Sequence, residues 1–141
     1  MYLIDTDVVS EARKRSKAHP GVREFLEKVI GNREALYLSV VTVGELRRGV
    51  EAIRKRGARR HAGQLERWLD YILDEYDDQI LGIGPDIAQL WGAIRLPGSS
   101  NVLDRQIAAT ARIHDLVLVT QKEQDFAGAG VAVFNPFRNP D

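Results

Sequence analysis

The sequence contains no cysteine, only three histidines and one methionine, and no excess of charge of either sign. Without thiols, disulfides and thiolate metal sites are excluded, which fits a reducing compartment. The scarcity of histidine disfavours zinc. Lys+Arg and Asp+Glu both number 20, so the formal net charge is zero. A nucleic-acid partner would therefore have to be held by a local basic patch. No apolar run is long enough to span a bilayer, and the start lacks the basic-then-apolar pattern of a signal peptide. The expectation is a cytoplasmic protein with no membrane partner. What is present, 44% hydrophobic and 28% charged residues in a chain of 141, is a globular composition with room for a real core. No repeat, low-complexity segment or linker divides it, so residues 1–141 read as a single domain.

Hydrophobic patterning alternates between strand and helix along the chain. Tyr2–Ile4 is apolar on both faces and reads as a central strand. Asp7 or Ser10 is placed to cap a helix running to about Ala18, before the break at His19-Pro20-Gly21. Val22, Phe25, Leu26, Val29 and Ile30 form one helical face. Leu36–Val41 predicts a second strand, and Thr42 then opens a helix that buries Val43, Leu46, Val50 and Ile53. After Gly57, Leu65, Leu69, Ile72, Leu73 and Tyr76 mark a long helix, about Arg59 to Tyr76, that forms a hairpin with its predecessor. A short strand is expected at Ile80–Ile83, a helix from Pro85 through Ile94, a loop at Pro97–Ser100, a helix carrying Leu103, Ile107 and Ala111, and strands at Leu116–Val119 and Val131–Phe134. This order predicts an α/β fold, a parallel sheet of four to five strands covered by helices on both faces.

The first eleven residues, Met1-Tyr-Leu-Ile-Asp5-Thr-Asp7-Val-Val-Ser-Glu11, switch from apolar to acidic at Asp5. A carboxylate at the end of a buried strand is costly unless capped, paired or holding a cation. In right-handed crossovers every helix starts at the carboxyl edge of the sheet, where ligands bind in open parallel sheets. Asp5, Glu45, Asp104 and Asp125 all map to that edge. Gathered together they would repel one another and raise their pKa values. A hard divalent cation, Mg²⁺ or Mn²⁺, would relieve that repulsion and could polarise a phosphoryl oxygen. The competing reading is local: Thr42-Val-Gly-Glu45 matches a capping box and Asn101-Val-Leu-Asp104 resembles one, and acids in first turns favour the helix dipole without any catalytic role. Asp125 would then be an ordinary turn residue.

Four blocks in order, Leu3-Ile-Asp-Thr-Asp-Val-Val-Ser-Glu11, Ser39-Val-Val-Thr-Val-Gly-Glu-Leu46, Leu103-Asp-Arg-Gln-Ile-Ala-Ala-Thr-Ala111 and Leu118-Val-Thr-Gln-Lys-Glu-Gln-Asp-Phe126, resemble the motifs of the PIN domain. The ending Gly130-Val-Ala-Val-Phe-Asn-Pro136 is similar to its VapC and FitB-like branch. The resemblance covers nearly the whole chain. It implies a three-layer α/β/α fold and a Mg²⁺- or Mn²⁺-dependent endoribonuclease, the toxin of a bacterial or archaeal type II toxin–antitoxin pair. Asp5 and Asp104 would hold the metal, Glu45 would complete the set directly or through water, and Thr6 and Thr120 would orient carboxylates or phosphates. The implied partners are RNA, a VapB-like antitoxin whose arginine would pair with the acids, and a second copy of the chain through helices of the first half, giving a homodimer and with antitoxin a heterotetramer or larger assembly. Two positions depart from the family pattern. Asp7 stands where asparagine is usual, and would serve as an outer ligand or tighten metal binding. Lys122 stands where asparagine or aspartate is common; it cannot ligate a metal as an ammonium, and would pair with Asp5 or Asp104 or contact a phosphate. Asp125 then becomes the expected fourth acid.

Arg47, Arg48, Arg54 and Arg59, with Lys55, Arg56 and Arg60, form a basic patch around the helical hairpin that RNA phosphates would attract, or a solvated hairpin tip. Arg13, Lys14, Arg15 and Lys17 form a second basic run. Trp68 and Trp91 fall on or beside apolar faces and read as core or subunit contacts; Tyr71 and Tyr76 read as packing residues. Two rival functions stand beside the ribonuclease. Asp5-Thr-Asp7-Val-Val9 matches the signature of haloacid-dehalogenase-like phosphatases, with Asp5 as nucleophile and Asp7 as general acid, although Asp104 then precedes Lys122 and Glu45 has no role. The other rival is a binding module of the same fold that has lost catalysis, which Lys122 keeps open.

Overall fold

The structure, a computed structural model, describes residues 1–96 and 101–138. Five short strands, β1 (Tyr2–Ile4), β2 (Leu36–Ser39), β3 (Ile80–Leu81), β4 (Val117–Val119) and β5 (Val133–Phe134), form one sheet in the order β3-β2-β1-β4-β5. Every pairing is parallel. The helices are α1 (Thr6–Ala12), α2 (Pro20–Gly31), α3 (Val40–Lys55), α4 (Arg59–Glu75), α5 (Pro85–Ala93) and α6 (Val102–Ile113).

The period-two alternation of a strand explains why there are two cores. In β1, Leu3 enters one apolar cluster and Ile4 the other; in β4, Leu118 and Val119 divide in the same way. The first cluster lies under α5 and α6, with Ile87, Ile107, Ala108 and Phe126. The second lies under α1–α4, with Val8, Val22, Phe25, Leu46, Val50 and Leu69. The sheet is thus covered on both faces, the three-layer arrangement expected. The central strand carries the most sequence-distant pairing: Tyr2 registers with Leu36 on one side and with Val117 on the other. Alanines at 108, 109 and 111 are fully buried; their small side chains let α6 lie close to its neighbours.

Several boundaries differ from the expectation. The first helix is capped by Asp5 rather than Asp7 or Ser10, and ends at Ala12. The chain then makes a separate 3₁₀ turn, Arg15–Lys17, entered through the left-handed backbone of Arg15, so no continuous helix reaches Ala18. The second strand stops at Ser39, whose hydroxyl accepts from Val41 N at 3.0 Å and caps α3. Val40 to Thr42 are therefore helical, and a side-chain cap has overridden their β-branched propensity. Strands β3, β4 and β5 are each shorter than the apolar runs that suggested them. Ile30, placed on the buried face of α2, is 64% exposed, and Tyr71 on α4 is exposed as well. Trp68 and Trp91 are half-buried against the second and first clusters respectively. The expected loop at Pro97–Ser100 lies outside the described residues.

Leu118 is fully buried between paired neighbours on both sides. Leu118→Ala is expected to lower the unfolding free energy by about 2–5 kcal/mol, read as a fall in the urea midpoint at unchanged m-value. An unchanged midpoint would place this residue outside the cooperative core.

Candidate active site

Asp5 follows the last residue of β1 and is the N-cap of α1, so a strand end and a helix start meet on one side chain. It is 1% exposed. Its Oδ1 accepts from Thr6 N at 2.8 Å, and its Oδ2 accepts from the Thr120 hydroxyl at 2.7 Å. Burial, and next the neighbouring Asp7 carboxylate, push the Asp5 pKa from 3.8 up to about 6, against the attraction of Lys122 and the two hydrogen bonds.

Asp104, 5% exposed, is brought to the same edge by α6. Its backbone N–H donates to the Asn101 side chain at 2.8 Å, so the expected cap is present. Its carboxylate plays no part in that cap. Asp104 Oδ1 instead accepts from Lys122 Nζ at 2.7 Å, while the same ammonium lies 3.9 Å from Asp5 Oδ2. Of the alternatives open for Lys122, the structure shows pairing with both acids. Burial alone would lower the Lys122 pKa, but the bond to Asp104 and the charges of Asp5, Asp104 and Asp7 raise it overall.

Glu45 falls in the second turn of α3, because Ser39 rather than Thr42 caps that helix. It does not act as a capping-box acid; its Oε1 accepts from the Thr6 hydroxyl at 2.6 Å. Thr42 Oγ1 lies 3.0 Å from the same hydroxyl. Thr6 therefore ties α1 to α3 beside Asp5, and Thr120 ties β4 to it. Thr42, fully buried, was expected to cap this helix; it lies inside the first turn instead, and its contact with Thr6 was not foreseen because the β-branched residues before it suggested that the strand continued to Val41.

Asp7 is held by backbone: Oδ1 accepts from Val8 N at 2.8 Å and Oδ2 from Gln121 N at 2.9 Å. Burial raises its pKa against these bonds. It pins the turn after β4 to the start of α1. Asp125 is exposed on a short 3₁₀ turn, Glu123–Phe126, and among the described residues no hydrogen bond or ion pair ties it to Asp5, Asp104 or Lys122. The acid that couples electrostatically to Asp5 is Asp7 instead. Among the described residues, no three of His, Cys, Asp and Glu are grouped so that they could hold a metal ion. Asp5 and Asp104 are linked through an ammonium and Glu45 through a hydroxyl.

The basic patch is only partly free. Arg47 Nη1 donates to Glu51 at 2.9 Å and Glu66 at 2.7 Å; Arg54 donates to Glu51 at 2.7 Å and Glu66 at 2.8 Å. These two arginines are engaged in joining α3 to α4, which the sequence spacing did not reveal because Glu66 is on the other helix. Arg48 is exposed, with Nη2 3.9 Å from Glu45 Oε2. Arg59 is exposed at the start of α4.

A five-stranded parallel sheet with buried acids at its carboxyl edge defines the class, and comparison with known proteins agrees. The chain belongs to the PIN domain family, whose model matches residues 2–131. Within that family it is similar to Toxin FitB of Neisseria gonorrhoeae, 35% identical with 99% of this chain and 100% of the relative covered. It is also similar to VapC ribonuclease Y4jK of Sinorhizobium fredii, at 30% identity and coverage of 97% and 98%. The crystal structure of FitAcB from N. gonorrhoeae superposes with a TM-score of 0.82 at 32% identity, covering 99% of this chain and 100% of that one.

The raised Asp5 pKa has a signed consequence. The folded chain holds this proton more tightly than the unfolded chain, so the associated stability is present below pH 3.8 and lost as pH rises through about 6. The difference of roughly two units corresponds to about 3 kcal/mol. Metal-free Asp5→Asn is therefore expected to melt above the native chain at pH 7.5, with the gap closing at pH 4. Parallel melting curves at both pH values would contradict this.

Proposed function

We propose that this PIN domain is a Mg²⁺- or Mn²⁺-dependent endoribonuclease that acts as the toxin of a VapBC-type toxin–antitoxin pair. The observation that carries the reading is the Asp5–Asp104 pair: two buried carboxylates at the carboxyl edge of a parallel sheet, already sharing one cation. The donor set fits a hard divalent ion, being all oxygen with no thiolate or imidazole among the bonded groups. Asp5 and Asp104 would hold the ion, with Glu45 completing the set directly or through water. Such an ion, when bound, polarises a phosphodiester oxygen and makes water a stronger nucleophile.

The chain's own residues supply the remaining requirements. Thr120 and Thr6 N fix both oxygens of Asp5, and the Thr6 hydroxyl fixes Glu45, so the acids need little reorganisation to act. Arg48, exposed beside Glu45, would attract an RNA phosphate, and Arg59, exposed at the start of α4, would add to that charge. Arg47 and Arg54 hold the hairpin together and contribute to RNA binding only if their glutamates release them. An antitoxin partner follows from similarity to a protein named as a toxin, and we extend to this chain the homodimer, and the larger assembly with antitoxin, that the family resemblance implies.

The phosphatase reading has less behind it: the family model that matches is that of the PIN domain, over residues 2–131, and Glu45 would have no role in a phosphatase. The catalytically weak binding module has one observation in its favour, the ammonium of Lys122 between the acids.

Purified protein is expected to cleave RNA in the presence of Mn²⁺, and Asp104→Ala to reduce the rate by roughly a hundredfold or more. Mapping 5′ ends of cellular RNA after induction checks this in the cell. Intact transcripts from native and Asp104→Ala cultures alike would remove the ribonuclease reading.

A further inference from the structure

We propose that Lys122 is a built-in gate on metal loading: its ammonium occupies the position between Asp5 and Asp104 that a divalent cation would take, and must leave before the cation enters. This rests on the reading of the acid pair as a metal centre. Three observations carry it. The first is position, 2.7 Å from Asp104 Oδ1 and 3.9 Å from Asp5 Oδ2. Two carboxylates buried together need a positive charge between them, and this chain provides its own.

The second is tethering. Lys122 N donates to Thr120 Oγ1 at 3.1 Å, and that hydroxyl donates to Asp5 Oδ2 at 2.7 Å. The lysine stem therefore starts at the site and folds back into it, with Nζ 5.7 Å from the centre of the buried Phe126 ring. A tethered cation competes at an effective concentration far above that of a free ion of equal affinity. The third is an exit. The Lys122 side chain is 37% exposed, whereas both carboxylates are almost fully enclosed. The gate requires only that the stem rotate toward this exposed side to carry the ammonium into solvent.

Calorimetric titration of the full chain with MnCl₂ tests the gate. Lys122→Met, which keeps the stem and removes the charge, is expected to bind Mn²⁺ roughly ten- to a hundredfold more tightly than the native chain, the scale on which neighbouring groups tune metal affinity. Lys122→Arg retains the charge and is expected to bind no more tightly than native. Equal or weaker binding by Lys122→Met overturns the gate and leaves the metal centre standing. Absence of Mn²⁺ uptake by native and variant chains alike overturns both. A measurement on the unmutated protein guards against misfolding of the variants. Lys122 is expected to resist amine acetylation in metal-free protein and to become reactive, by peptide mass spectrometry, at saturating Mn²⁺. Reactivity unmoved by the metal overturns the gate.

Discussion

The structure depends on the satisfaction of one carboxylate that water cannot reach. Asp5 sits where the central strand gives way to the first helix, and each of its oxygens is claimed: one by the helix it caps, one by the hydroxyl that closes β4. The neighbours follow from that demand. Thr120 must be at the end of the adjacent strand, a cation must stand near, and the partner acid on α6 must share it. Desolvation outweighs these compensations enough to raise the pKa of Asp5. Such an arrangement gives up stability to keep buried oxygens together.

Much of this was legible in the residues. The alternation of apolar runs and helical faces pointed to the parallel sheet with two covered faces, because periods of two and 3.6 are set by backbone geometry. Asp5, Glu45 and Asp104 were legible as an edge set, because crossover handedness brings strand ends and helix starts to one side. The pairing of Lys122 with the acids was among the expectations, and the structure shows it. What the residues did not disclose were relations between distant segments. Thr6 bonding Glu45, Asp7 accepting from Gln121, and Glu66 claiming two arginines each cross between elements. Local signals also misled where two were superimposed: the β-branched pair Val40 and Val41 reads as strand until Ser39 caps a helix ahead of it.

The electrostatics of the hairpin and of the site differ in kind. The Arg47–Glu51–Arg54–Glu66 network is half-exposed, so its pairs are screened and each contributes little by itself. Its role is geometric, in fixing α4 against α3. In the Lys122–Asp104 pair the ammonium is partly exposed but the carboxylate is almost fully buried, so salt and solvent screen it from one side only. A net charge of zero therefore conceals a chain whose ionic interactions span very different strengths.

The register of the central strand carries one further implication. Tyr2–Ile4 pairs with Val117–Val119, far along the chain from it, and Thr120 and Lys122 follow directly. During synthesis, β1 is made well before β4, and the sheet cannot close through its middle until β4 has followed it. A chain made only as far as α6 lacks the hydroxyl and the ammonium that organise Asp5, so a partly made copy carries no assembled pocket.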